Sequence, residues 1–174
     1  MRRNLSCLPI VLLSALAGCA GYQIGNQTLY PAHIETVYVP LIESASFRRS
    51  LGERLTEAVM KEIELRTPYK VTGDPRADSV LRCRLVSDTK RVVIPGRTGD
   101  PKQLQVNMQV EVSWTDRRGT ALRQFEPLPL PPEIASVTGN ANLVPEAGQS
   151  VVTAQQEAVE SVARQIVGML EHPW

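Results

Sequence analysis

From Leu104 to Trp114 the chain alternates almost without fault. Leu104, Val106, Met108, Val110, Val112 and Trp114 are set against Gln105, Asn107, Gln109, Glu111 and Ser113. A period of two puts the apolar set on one face, so Gln103–Trp114 is expected as an antiparallel strand with one wet face. Ala77–Val86 repeats the pattern, with Leu81, Cys83 and Leu85 opposing Val80, Arg82 and Arg84. Arg91–Ile94 extends that strand past the main sheet, and residues 95–101 (PGRTGDP) form the tip of the hairpin that joins the two. Ile34–Pro40 predicts an earlier strand covered on both faces, and Tyr69–Thr72 a short one before the Gly73-Asp74-Pro75 turn. Asp116–Gly119 turns the long strand into a partner expected at about Thr120–Phe125.

Two segments change period. Phe47, Leu51, Leu55, Val59 and Ile63 recur at helical spacing from Phe47 to about Arg66, with Ser44 or Ser46 as cap and Thr67-Pro68 as stop. Val151, Ala154, Ala158, Val162, Ile166, Met169 and Leu170 define a second helix from about Glu146 to Leu170. Pro127, Pro129, Pro131 and Pro132 deny the intervening stretch a ladder or a helix, so residues 127–145 are expected as a long loop. Apolar helix stripes need an apolar sheet face. The fold class is therefore α+β, with two helices packed on one face of a mostly antiparallel, roughly four-stranded sheet.

The N-terminus follows a different logic. Met1-Arg2-Arg3 is a positive start, and Leu8 to Ala17 is an apolar run of about ten residues, too short to cross a hydrocarbon core of roughly 30 Å. It ends at Leu16-Ala17-Gly18-Cys19, which resembles the lipobox of bacterial lipoproteins. That resemblance implies a signal peptide over residues 1–18, a diacylglycerol on the Cys19 thiol and an acylated amine, giving a stable lipid anchor. Ala20, where an Asp would favour the inner membrane, points to the outer membrane. Residues 19–33 then read as a lipidated tether and lead-in, and residues 34–174 as a single α+β domain. Cys7 leaves with the signal and Cys19 is consumed, so Cys83 stands alone and no intramolecular disulfide forms.

Composition removes several function classes. The chain has 174 residues, 43% hydrophobic and 21% charged, with a formal net charge of +1. This suits one folded domain and carries no basic excess that would point to nucleic acid. His33 and His172 are the only histidines, and no HxxH, CxxC or HExxH spacing supports a metal site. No GxGxxG, Walker-type or GxSxG motif occurs, and the carboxylate pairs Asp74/Asp78 and Glu62/Glu64 lie in turn or solvated-helix settings. No enzyme activity and no cofactor are expected.

Charge placement is what stands out. From Arg82 to Lys102 the local balance is +4, and from Glu133 to the end it is −4. The basic end would favour phosphorylated or carboxylated glycolipid headgroups or acidic protein loops, against the plainer alternative of a solvated hairpin.

The mature start Cys19-Ala20-Gly21-Tyr22, the strand Ile34–Val39, the helix Leu51–Leu65, the run Ala77-Asp78-Ser79-Val80-Leu81, the alternation Leu104–Val112 and the final helix together resemble the LPS-assembly lipoprotein family, LptE. The resemblance implies an outer-membrane lipoprotein on the periplasmic face. It would bind inside a β-barrel translocon of the LptD type, help it assemble, act as its plug and bind lipopolysaccharide. Lys90 and Arg91, with Arg97 and Lys102 behind them, are the candidate lipopolysaccharide-binding residues. An envelope lipoprotein scaffold serving a secretion or peptidoglycan-linked complex is the alternative.

Overall fold

A computed structural model describes residues 30–46, 48, 50–97, 99–122 and 134–171. Along the chain lie β1 (Thr36–Tyr38), β2 (Glu43–Ser44), α1 (Leu51–Arg66), β3 (Lys70–Thr72), β4 (Ser79–Pro95), β5 (Pro101–Asp116), β6 (Ala135–Leu143) and α2 (Val151–Gly168). The two helices pack against one face of the sheet, and the fold is α+β.

The sheet is larger and more mixed than the sequence pattern predicts: six strands in place of about four. They run in the order β3-β1-β4-β5-β6, with β2 also on β4. β1 and β3 fall within the strands expected at Ile34–Pro40 and Tyr69–Thr72, three residues each, while β2, of two residues, is too short for a hydrophobic period to announce. β1 pairs in parallel with β3 and β4, and β2 in parallel with β4, while β4, β5 and β6 are antiparallel. The parallel pairing of β1 with β3 needs a long crossover, which α1 supplies.

The largest departure is β6. Residues 135–143, expected within a loop, form a nine-residue strand against β5, with Ala135, Val137, Gly139, Ala141 and Leu143 facing inward. Small residues conceal the alternation, and packing explains them. A Cβ on Gly139 would collide with Val162 Cγ2 of α2 and stand 2.8 Å from the Ala158 carbonyl oxygen. Glycine here lets helix and strand backbones approach. The expected partner strand at Thr120–Phe125 shows only its first bridge, Thr115 to Ala121, and residues 123–125 lie outside the described residues. So do the four prolines.

Both helices begin later than their apolar spacing suggests. α1 starts at Leu51, with Ser50 at the cap position but no bond from its side chain; Ser44 and Ser46 bond each other instead. Gly52 lies against the Ile42 carbonyl, and Thr56 Oγ1 accepts the Ile42 N–H at 3.0 Å, tying the chain before β2 to the helix. A 3₁₀ turn at Pro145–Ala147 precedes α2, whose cap Ser150 accepts the Thr153 N–H at 3.1 Å. Leu55, Val59 and Ile63 of α1, Ala158, Val162 and Ile166 of α2, Leu81 and Leu85 of β4, and Val106, Met108 and Val110 of β5 share one continuous core. Burial of a side chain of this kind is worth roughly 1.5–3 kcal/mol. That is why both helices settle on the same sheet face.

Candidate functional site

β4 and β5 are 17 and 16 residues long and form one ladder from Ser79 opposite Asp116 to Pro95 opposite Pro101. At the Ser79 end Tyr30, Tyr69 and Trp114 cluster, with Tyr30 and Tyr69 edge-on at 5.5 Å and Tyr69 and Trp114 at 6.1 Å. Tyr30 Oη donates to the Arg66 carbonyl at 3.2 Å, joining the first described residue to the end of α1. Burial, followed by the Glu171 carboxylate, raises the Tyr30 hydroxyl above its ordinary pKa. Tyr30 and the hairpin tip therefore lie toward opposite ends of β4, roughly 55 Å apart at 3.3 Å per residue.

The lower part of the ladder is clamped by Asp78. Its Oδ2 accepts from Thr36 Oγ1 at 2.8 Å, Thr36 N at 3.0 Å and Glu35 N at 3.3 Å, and Oδ1 from Arg117 Nη2 at 3.0 Å. The Thr36 hydroxyl bond leads in holding this carboxyl below the usual carboxylate range. Asp78 thus fastens β1 to the start of β4 and to the β5 turn, a structural role. Cys83 is buried in β4, and burial pushes its thiol up to about 12.

Higher on β4, Val86 is an extra residue: Leu85 stands opposite Val110, but Ser87 stands opposite Gln109. The bulge flips the face parity. Asp88 consequently faces the helices opposite Met108, its side chain only 3% exposed, with Arg48 Nε at 3.4 Å and Gln155 Nε2 at 3.5 Å.

This parity decides which face each candidate basic residue takes. Lys90 lies opposite Val106 and shares the helix-side face, whereas Arg91 lies opposite Gln105 on the other face. Arg97 is at the turn and Lys102 at an irregularity in β5 near the tip. All four are exposed on the same hairpin arm. The structure gathers them on one arm without merging them into a single face. Cys19 lies outside the described residues.

Two features escape sequence reasoning. Arg82 and Arg84 project from the helix-free face into a groove of about 340 Å³, walled by Pro40, Leu41, Glu111 and Ile134. Val92, Val93 and Ile94 are about half exposed, at 52%, 44% and 46%. Three consecutive apolar residues beside a turn break the alternation, and that was the available signal. Among the described residues no group of three or more His, Cys, Asp or Glu could hold a metal ion, and no helix is long and apolar enough to cross a membrane.

Comparison with solved structures finds the same fold in proteins of low sequence identity. The PelC dodecamer from Paraburkholderia phytofirmans is 14% identical, with a TM-score of 0.52 over 85% of this chain and 96% of that one. The rare lipoprotein B from Shewanella oneidensis is 13% identical, with a TM-score of 0.50 over 78% of this chain and 93% of that one. No curated protein sequence matches. The profile of the LptE lipopolysaccharide-assembly family matches residues 34–170, from the segment before β1 through the end of α2. The chain belongs to the LptE lipopolysaccharide-assembly family.

Proposed function

We propose that this protein is an outer-membrane lipoprotein, anchored through Cys19, that binds a β-barrel lipopolysaccharide translocon of the LptD type, assists its assembly, plugs its lumen and contacts lipopolysaccharide. The observation that carries the reading is the family match over residues 34–170. The geometry agrees with it. A plug needs a rigid body with a polar outer surface, since barrel lumens are polar. The outward faces of β5 and β6 supply Gln105, Asn107, Gln109, Thr138 and Asn140. The hairpin arm carries Lys90, Arg91, Arg97 and Lys102 away from the helix-covered core, where phosphates of a glycolipid headgroup would pair with them. None of these roles calls for a nucleophile or a cofactor.

Affinity capture of the tagged protein from detergent-solubilised envelopes tests the partner. Co-purification of a β-barrel protein is expected. Recovery of only inner-membrane or peptidoglycan components would favour the scaffold reading. Intact-mass analysis of the same sample reads the anchor, and an unmodified Cys19 thiol would refute it.

A further inference from the structure

The edge of β4 is covered along half its length and then stops being covered. β1 pairs with it at Ser79–Val80 and β2 at Arg84–Leu85. The Ala45 N–H donates to the Leu85 carbonyl at 2.9 Å, and beyond that bond no described residue pairs with the edge. Thr89 to Pro95 are exposed without interruption. Backbone donors and acceptors in such an edge form a template for another strand.

The other edges differ. β3 has only three residues, and β6 lies under α2, with Gln165 Nε2 donating to its Thr138 carbonyl at 3.3 Å. On β4 the ladder irregularities at Val86 and Val93 leave Ser87–Val92 as six residues in regular register, an ordinary strand length. Its flank is both basic and apolar, with Lys90, Arg91 and Val92 within the tract, Val93 and Ile94 after it and Arg97 at the turn. A second copy of this chain pairing edge to edge would set these like charges against each other, which destabilises cross-strand pairs. An acidic strand would meet them favourably.

We propose that the β4 edge from Val86 to Pro95 is a docking edge for one extended acidic segment of a partner protein, which adds to the sheet as a further strand. Main-chain hydrogen bonds would supply affinity, and the alternating Lys90 and Arg91 would select acidic side chains on both faces. This goes beyond glycolipid recognition, because a headgroup pairs with the charged tips and leaves the ladder positions of the backbone unpaired.

The test uses the purified full-length protein and a synthetic ten-residue peptide in which pairs of glutamates alternate with pairs of valines, so that glutamates fall on both faces of the added strand. Its controls are a lysine–valine analogue and a version N-methylated along one edge. Hydrogen exchange should show amides of residues 86–94 slowing with the glutamate peptide, and both controls should bind about tenfold more weakly. The double variant Lys90→Glu/Arg91→Glu should reverse the preference toward the lysine peptide, a gain that misfolding cannot produce. Unchanged exchange at saturating peptide, equal binding of the N-methylated version, or a retained glutamate preference in the double variant would overturn the proposal. So would protection of residues 86–94 that rises with protein concentration alone, which assigns the edge to a second copy, or equal protection by lipopolysaccharide micelles. The envelope capture is read separately, so failure of the docking edge and failure of the translocon reading are distinguishable.

Discussion

Arg91 holds Gln105 across the β4–β5 ladder, with its Nε and Nη2 donating to the carboxamide oxygen at 2.9 and 2.6 Å. Lys90, the preceding residue, faces the opposite side of the sheet. Two adjacent cations therefore address two surfaces, and only the pairing register reveals which cation takes which. Replacing both with alanine should weaken lipopolysaccharide binding about tenfold in a competition assay and change stability by less than about 0.5 kcal/mol, as exposed substitutions do. Unchanged binding would remove both from the glycolipid site. The single variants identify which sheet face the headgroup meets.

Gly139 is the point of closest approach between β6 and α2. Gly139→Ala should destabilise the protein by about 1–3 kcal/mol, because the added methyl meets Val162 and the Ala158 carbonyl and neither backbone can yield cheaply. Urea denaturation reads the loss. A neutral Gly139→Ala would mean that α2 does not sit on β6 as described.

Asp78 makes stability depend on pH in a defined direction. Its carboxyl titrates lower in the folded protein than unfolded, first through the Thr36 hydroxyl bond. The folded state therefore binds fewer protons, so the contribution is fully present above the unfolded value of about 3.9 and is lost as pH falls through the folded one. Asp78→Asn should cost about 1–2 kcal/mol at pH 7, the scale of charge-assisted hydrogen bonds. The difference from the parent should shrink in melts taken progressively below pH 4. A gap that stays constant to pH 2 would contradict the assignment.

Tyr69 Oη and Trp114 Nε1 are buried without a hydrogen-bond partner among the described residues. Burial leads in raising the Tyr69 hydroxyl well above its usual range. Tyr69→Phe should therefore stabilise the protein by about 1 kcal/mol in thermal or urea melts, since it removes an unpaired buried group and keeps the ring. Tyr30→Phe should do the reverse, because that hydroxyl bonds the Arg66 carbonyl.

Cys83 offers a chemical readout of the core. With its thiol at about 12 and the side chain buried in β4, iodoacetamide at pH 8 should label it only after unfolding. Rapid labelling of the native protein would show that β4 opens locally.

Much of this fold is written in local order. The alternation of Leu104–Trp114 and the stripes Leu55-Val59-Ile63 and Ala158-Val162-Ile166 mark β5 and the two helices because each buries one face, and burial imposes a period. The basic hairpin follows from the same reading, since two long strands around residues 95–101 leave one place for the tip. β6 was not legible: Ala135, Gly139 and Ala141 are small because α2 presses on them, and small residues carry little hydrophobic signal. β1 and β3 were legible as strands longer than the three residues each that pair, whereas β2, two residues recruited by β4 in space, was not.

Local residue order thus determined the helices, the long hairpin, its charge and the family resemblance, all of which depend on neighbours within a few positions. The tertiary structure alone decided that six strands form a mixed sheet, that a single extra residue at Val86 gives Lys90 rather than Arg91 the helix-side face, and that cover over the β4 edge ends at Leu85. Strand pairing joins residues far apart in the chain, and one inserted residue inverts every face beyond it.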